Sequence, residues 1–125
     1  MQVDIKDSYT LNFVLYDTAL DENGQIDYIY EGEPICLPQS GQVNMIALVG
    51  CYTNKVDFEL IGGGRMDKYS DPTYPFWLYG NSGIYSSGEI YGRDGFELDT
   101  EYTVSAIPVN STSSRIERRF TFKSC

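Results

Sequence analysis

Val56-Asp57-Phe58-Glu59-Leu60, closing on Gly62-Gly63-Gly64, is the stretch that decides the fold. Its apolar residues recur every second position and its carboxylates fill the gaps. That is the period of a strand with one face buried and one face wet. The three glycines that follow read as a loop.

The same grammar extends in both directions. Tyr9, Leu11, Phe13 and Leu15 alternate with Thr10, Asn12 and Val14 over 9–16, predicting a first strand that Asp21-Glu22-Asn23-Gly24 breaks. Ile26 to Tyr30 and Pro34 to Leu37 are short extended pieces around Glu31-Gly32-Glu33, suited to a proline-protected edge. Val43 to Val49 is apolar on both parities, as in a central strand partly covered on its outer side. Phe76 to Tyr79 forms an aromatic strand and Ile84 to Tyr91 continues it among small residues, half of it core; Trp77 and Phe76 either fill the sandwich or stand as exposed rings, the first at least as favoured as the second. Tyr102 to Pro108 and Ile116 to Lys123 are the last two strands, a hairpin across the Ser/Thr-rich loop of 110–114. Ile116, Phe120 and Phe122 point inward, and Arg118 shares their parity as an exception.

Composition agrees with many strands joined by turns. The 125 residues include eleven tyrosines and twelve glycines, and the length suits one domain, 1–125, with one core. No run of about 18 apolar residues occurs, so no membrane insertion is expected. A net charge of −9, with no basic stripe, disfavours nucleic acid and anionic membranes as partners.

The absence of histidine removes the Ser-His-Asp and Cys-His nucleophile arrangements and the usual histidine zinc sites. Carboxylate pairs such as Asp57 with Glu59, or Glu97 with Asp99, have the spacing of a solvated face. The chain is therefore expected to be no enzyme and to need no cofactor. The glycine run lacks the following helix that a phosphate cradle requires. Calcium is a weaker expectation, at the acidic segments Asp21 to Asp27 or Asp67 to Asp71.

Cys36, Cys51 and Cys125 have neither zinc nor redox spacing; they leave open one disulfide with a spare thiol, or three reduced thiols. Asn110-Ser111-Thr112 is a glycosylation sequon at Asn110. Exposed aromatic rings beside amides and carboxylates suit sugars, because a flat ring covers a pyranose face. The candidate ligand residues are Tyr69, Tyr74, Tyr79, Asn81, Tyr85 and Tyr91.

Leu98-Asp99-Thr100-Glu101-Tyr102-Thr103-Val104-Ser105-Ala106 resembles the lead-in to strand F of immunoglobulin-like and fibronectin type III sandwiches, with Tyr102 as the corner tyrosine. In order, Ser8 to Leu11, Val43 to Met45, Val56 to Leu60, Pro75-Phe76, Leu78, Gly80-Asn81, Tyr85, Tyr102 to Ala106 and Phe120 to Phe122 resemble an immunoglobulin-like module of secreted or cell-surface multidomain proteins, bacterial and algal. That module often stands beside malectin-like carbohydrate-binding domains. The resemblance implies an all-β, immunoglobulin-like antiparallel sandwich of about seven to nine strands. It implies an extracellular or cell-surface recognition module, with neighbouring domains in the same chain and a protein or glycan partner. A carbohydrate-binding module using its tyrosines and a purely structural spacer are the alternatives. In its topology the edge strand carrying Cys36 and the last strand carrying Cys125 finish at one pole, implying a Cys36–Cys125 disulfide that closes the open edge for about 2 to 5 kcal/mol.

Overall fold

The computed structural model describes residues 12–49, 53–72, 75–80, 91–109 and 115–125. Among them are nine strands: β1 Asn12–Asp17, β2 Gln25–Tyr28, β3 Pro34–Cys36, β4 Val43–Leu48, β5 Lys55–Gly62, β6 Arg65–Asp71, β7 Phe76–Trp77, β8 Glu101–Val109 and β9 Ile116–Lys123. The break after β1 is a 3-10 turn, Thr18–Asn23, whose start Asp17 caps by accepting the amide of Ala19 at 3.0 Å. The strands form two sheets, β2-β1-β4-β7 and β3-β9-β8-β5-β6, stacked as an all-β sandwich. Neighbours pair antiparallel except β3, which runs parallel to β9 and makes the second sheet mixed.

Alternation builds the core. Val56, Phe58 and Leu60 of β5 are buried while Asp57 and Glu59 between them are half-exposed. Their partners across the ladder, Pro108, Ala106 and Val104, are buried too. Phe13, Leu15, Val43, Met45, Ala47 and Phe76 come from the facing sheet. Each large side chain withdrawn from water contributes about 1.5 to 3 kcal/mol. Arg118 is half-buried, and its Nη1 donates to the Glu117 carbonyl at 3.0 Å.

At one end, Tyr102 is wholly buried among Phe96, Phe120 and Phe122, with ring centroids 5.6 to 5.9 Å away. Its hydroxyl accepts the Glu97 amide at 2.7 Å, so the chain entering β8 is pinned to its own upstream turn. The glycine run is explained by the same ring. Gly62 pairs with Arg65, leaving Gly63 and Gly64 as a two-residue hairpin turn with φ of +55° and +80°. Two left-handed residues are what a type I′ hairpin requires. A Cβ on Gly63 would stand 2.8 Å from the Tyr102 hydroxyl, so the turn also needs the missing side chain.

The segment after the glycines, read as lacking a helical period, is the seven-residue strand β6. Two expectations are corrected. The aromatic strand of 76–79 ends at Trp77, because Leu78 and Tyr79 turn away. Trp77 does not fill the sandwich. It pairs with Ile46 on the outer face of its sheet, beside Val14, and Tyr16 packs edge-on at 4.9 Å. Its indole Nε1 is buried with no acceptor among the described residues.

Cys36 and Cys125 are joined by a disulfide, with 5.7 Å between their Cα atoms. The bond ties the end of β3 to the residues just beyond β9. Cys51 lies outside the described residues, as does the loop 110–114.

Candidate functional site

β6 and β7 are the edges of the two sheets on one flank of the sandwich. Arg65, Asp67, Tyr69 and Asp71 pair with Gly62, Leu60, Phe58 and Val56, so all four share the core-facing parity of β5. At the flank they face the other sheet across a gap, and polar side chains fill it. Asp71, 5% exposed, accepts the Trp77 amide at 2.8 Å and links the two edges. One Asp67 oxygen accepts both Arg65 Nε at 2.9 Å and the Tyr79 hydroxyl at 2.8 Å. The Arg65 guanidinium lies 4.2 Å above the Phe96 ring and donates from Nη1 to the Asp94 carbonyl at 2.9 Å.

Tyr79 is 7% exposed, and the Arg93 guanidinium sits 5.3 Å over its ring. Burial first, and then its hydrogen bond to the Asp67 carboxylate, hold its hydroxyl far above the ordinary tyrosine range.

Behind this flank Asn44 is wholly buried and completely bonded. Its Nδ2 donates to the carbonyls of Gly80 at 3.1 Å and Tyr91 at 2.7 Å. Its Oδ1 accepts the amides of Met45 at 2.8 Å and Tyr79 at 2.9 Å. A side chain with two donors and two acceptor lone pairs uses all four. Asn44 therefore fixes 79–80 against 91, a joint reinforced by Tyr91 N–H to the Gly80 carbonyl at 3.2 Å and by paired bonds between Val43 and Arg93.

On this frame stand two exposed rings, Tyr69 at 41% and Tyr91 at 47%. Tyr69 lies against Gly80, where a Cβ would meet its hydroxyl at 3.0 Å. Partial burial, then Asp71 and then Tyr91 raise the Tyr69 hydroxyl pKa, and Tyr91 meets the same Gly80 through its amide at 3.2 Å. A hollow of about 330 Å³ opens beside Tyr69, lined also by Met66, Lys68, Tyr79 and Arg93. The gap's carboxylates are spent on internal bonds, so the surface offers rings and the Arg93 guanidinium, while the Lys68 ammonium pairs with Glu59 at 3.5 Å.

Of the sequence-predicted ligand residues, Tyr69 and Tyr91 come together at the surface. Tyr79 is beside them but cannot present a ring face, because it is buried and its hydroxyl is taken. Tyr74, Asn81, Tyr85 and the sequon residue Asn110 lie outside the described residues. The Asp67 to Asp71 segment is a strand and not a calcium loop, and its two carboxylates are held by Arg65, Tyr79 and Trp77. In the earlier acidic segment Asp27 accepts the Tyr28 amide at 2.7 Å. Among the described residues no three metal-ligating side chains gather. Sequence reasoning missed Asn44, Arg65 and Arg93; the one signal for Asn44 was an amide inside the apolar run of 43–49.

Comparison with protein-family models, with curated proteins and with solved structures gives no significant match.

Proposed function

We propose that this domain is an immunoglobulin-like recognition module of a secreted or cell-surface protein, binding a protein or glycan partner without covalent chemistry. The reading is supported by the order β9-β8-β5-β6, which is the order of strands G, F, C and C′ in a variable-type sandwich, and by β1-β4-β7, the order of A, B and E. Tyr102 stands at the start of the F-like strand with its hydroxyl bonded five residues upstream, which supports the same reading. The Cys36–Cys125 disulfide suits an oxidising compartment. Among the described residues no helix is long and apolar enough to cross a membrane.

The observation that carries the reading is the pair Tyr69 and Tyr91, half out in solvent on a flank whose polar groups are bonded internally. Rings already held in place lose little freedom when a partner covers them, so their area contributes to affinity at low entropic cost. The test is binding of the immobilised domain to neutral glycans and to purified matrix proteins. Wild type is expected to bind at least one of them, and the Tyr69→Ala/Tyr91→Ala variant to bind it more weakly, with its melting temperature unchanged. A wild-type domain that ignores every probe returns the module to a structural spacer.

A further inference from the structure

The opposite flank of the sandwich carries a second aromatic site. There β2 and β3 are the sheet edges, joined by residues 29–33, and a hollow of about 370 Å³ lies between them. We propose that this hollow binds one neutral pyranose residue of a glycan, with Tyr28 and Tyr30 as its stacking platform.

Tyr28 and Tyr30 are two residues apart in an extended segment and so present their rings to one side. The centroids are 6.3 Å apart, and the rings are 41% and 53% exposed. Both are held from behind. Tyr28 pairs with Val14 in the ladder, and Ile29 between the rings is 1% exposed with its amide bonded to the Phe13 carbonyl at 2.9 Å. Tyr30 begins a tight turn closed by the Glu33 amide on its carbonyl at 3.1 Å, with Gly32 at φ +75° in the left-handed place. Glu31 clamps that turn to β9, accepting Arg119 N–H at 2.9 Å and Arg119 Nε at 2.6 Å. The far wall is β3, fastened by the disulfide at Cys36.

The rim decides the ligand class. Asp27 and Glu33 offer acceptors and Lys123 offers donors, all lining the same hollow. A sugar hydroxyl both donates and accepts, so a mixed rim serves it, while tilted rings cover the apolar C–H face of the pyranose. A quaternary ammonium ligand would meet the Lys123 charge, and an acidic sugar would meet Asp27, Glu33 and the chain's net −9. A neutral ring fits without either conflict.

The inference rests on the recognition reading but places its site on the other flank, so the two fail separately. The test is an amide NMR titration with the methyl glycosides of glucose, galactose, mannose and N-acetylglucosamine. One of these is expected to give saturable shifts at residues 26–36 and 123, with affinity on the order of millimolar, the range of a single weak contact patch. Tyr28→Ala and Tyr30→Ala are each expected to weaken it about tenfold, while Tyr30→Phe, which keeps the ring, retains it. Silence towards all four sugars overturns this inference alone, because the recognition reading also admits a protein partner. Shifts confined to the Tyr69 and Tyr91 flank, or binding that survives Tyr28→Ala/Tyr30→Ala, overturn it as well.

Discussion

Tyr102→Phe removes one buried oxygen from the end of the sandwich, and its cost can be worked from the contacts. The ring stays, so its packing against Phe96, Phe120 and Phe122 is retained and no cavity of consequence opens. What is lost is the acceptor for Glu97 N–H at 2.7 Å. A buried donor left unpaired costs about 1 to 3 kcal/mol. Glu97 is itself exposed, so water can reach part of that amide and the lower half of the range applies, about 1 to 2 kcal/mol. For a domain of this size that is a fall of roughly 3 to 10 °C in melting temperature. The companion change Gly63→Ala forces an alanine into φ +55° and drives its Cβ to 2.8 Å from the same hydroxyl. The backbone part, about 1 to 2 kcal/mol, is indifferent to residue 102, but part of the steric cost disappears once the hydroxyl is gone. Urea unfolding of the two single variants and the double variant should therefore give a sum that exceeds the double by more than about 0.5 kcal/mol. A strictly additive cycle, or a Tyr102→Phe cost below about 0.5 kcal/mol with normal Glu97 amide protection, refutes the assignment of this bond as the pin of the corner.

Reducing the Cys36–Cys125 bond, which spans 89 residues, should cost up to about 4 to 5 kcal/mol by loop-closure entropy; peptide mapping that fails to recover these two cysteines linked would sink the prediction. Asn44→Asp puts a carboxylate oxygen against the Gly80 and Tyr91 carbonyls in a site with no exposure. It should lose upwards of about 3 kcal/mol at neutral pH and recover part of that on acidification, as urea midpoints at the two pH values would show. Tyr79 has a folded pKa raised above its unfolded 10.0, so its contribution is fully present below that pH and drains away as pH rises beyond it. Tyr79→Phe should flatten the alkaline limb of the melting profile, and an unchanged limb would contradict the burial and Asp67 bond that together raise it. Glu31 is shifted the other way, below 4.5, by its hydrogen bonds from Arg119. Its contribution is present above that pH and lost as pH falls through the lower folded value, so Glu31→Gln should flatten the acid limb.

The strands that announced themselves are those with one wet face and one dry face. β5 could be read residue by residue because Asp57 and Glu59 mark the solvent side against Val56, Phe58 and Leu60. β6 carries no such contrast. Its inward residues Arg65, Asp67, Tyr69 and Asp71 face a flank gap and not the core, so polar groups occupy both parities and the period of two vanishes from the text. Its partner β5 supplies the register that its own sequence does not encode. Trp77 shows the converse, a clue present and overlooked. Neighbours in a strand point to opposite faces, so Phe76 and Trp77 could not both enter one core. The double-sided apolar run of 43–49 had already marked that sheet's outer face as covered.

The candidate sites were legible only in part, because a ring's exposure is a property of what folds over it. Eleven tyrosines offer the same amphipathic side chain at sequence level, and neighbouring residues do not sort them. Tyr79 and Tyr69 differ in where their strands end. Tyr79 falls beyond the last ladder pair of β7, where the chain turns and delivers its hydroxyl to Asp67. Tyr69 stays in the ladder of an edge strand and keeps a face in solvent. Tyr28 and Tyr30 escaped notice because they read as ordinary members of a short edge strand. Their interest comes from Arg119, some ninety residues away in sequence and brought over by the parallel pairing of β3 with β9. A tyrosine becomes a binding surface when distant residues hold its backbone still and leave its ring uncovered, and that condition is written in the topology.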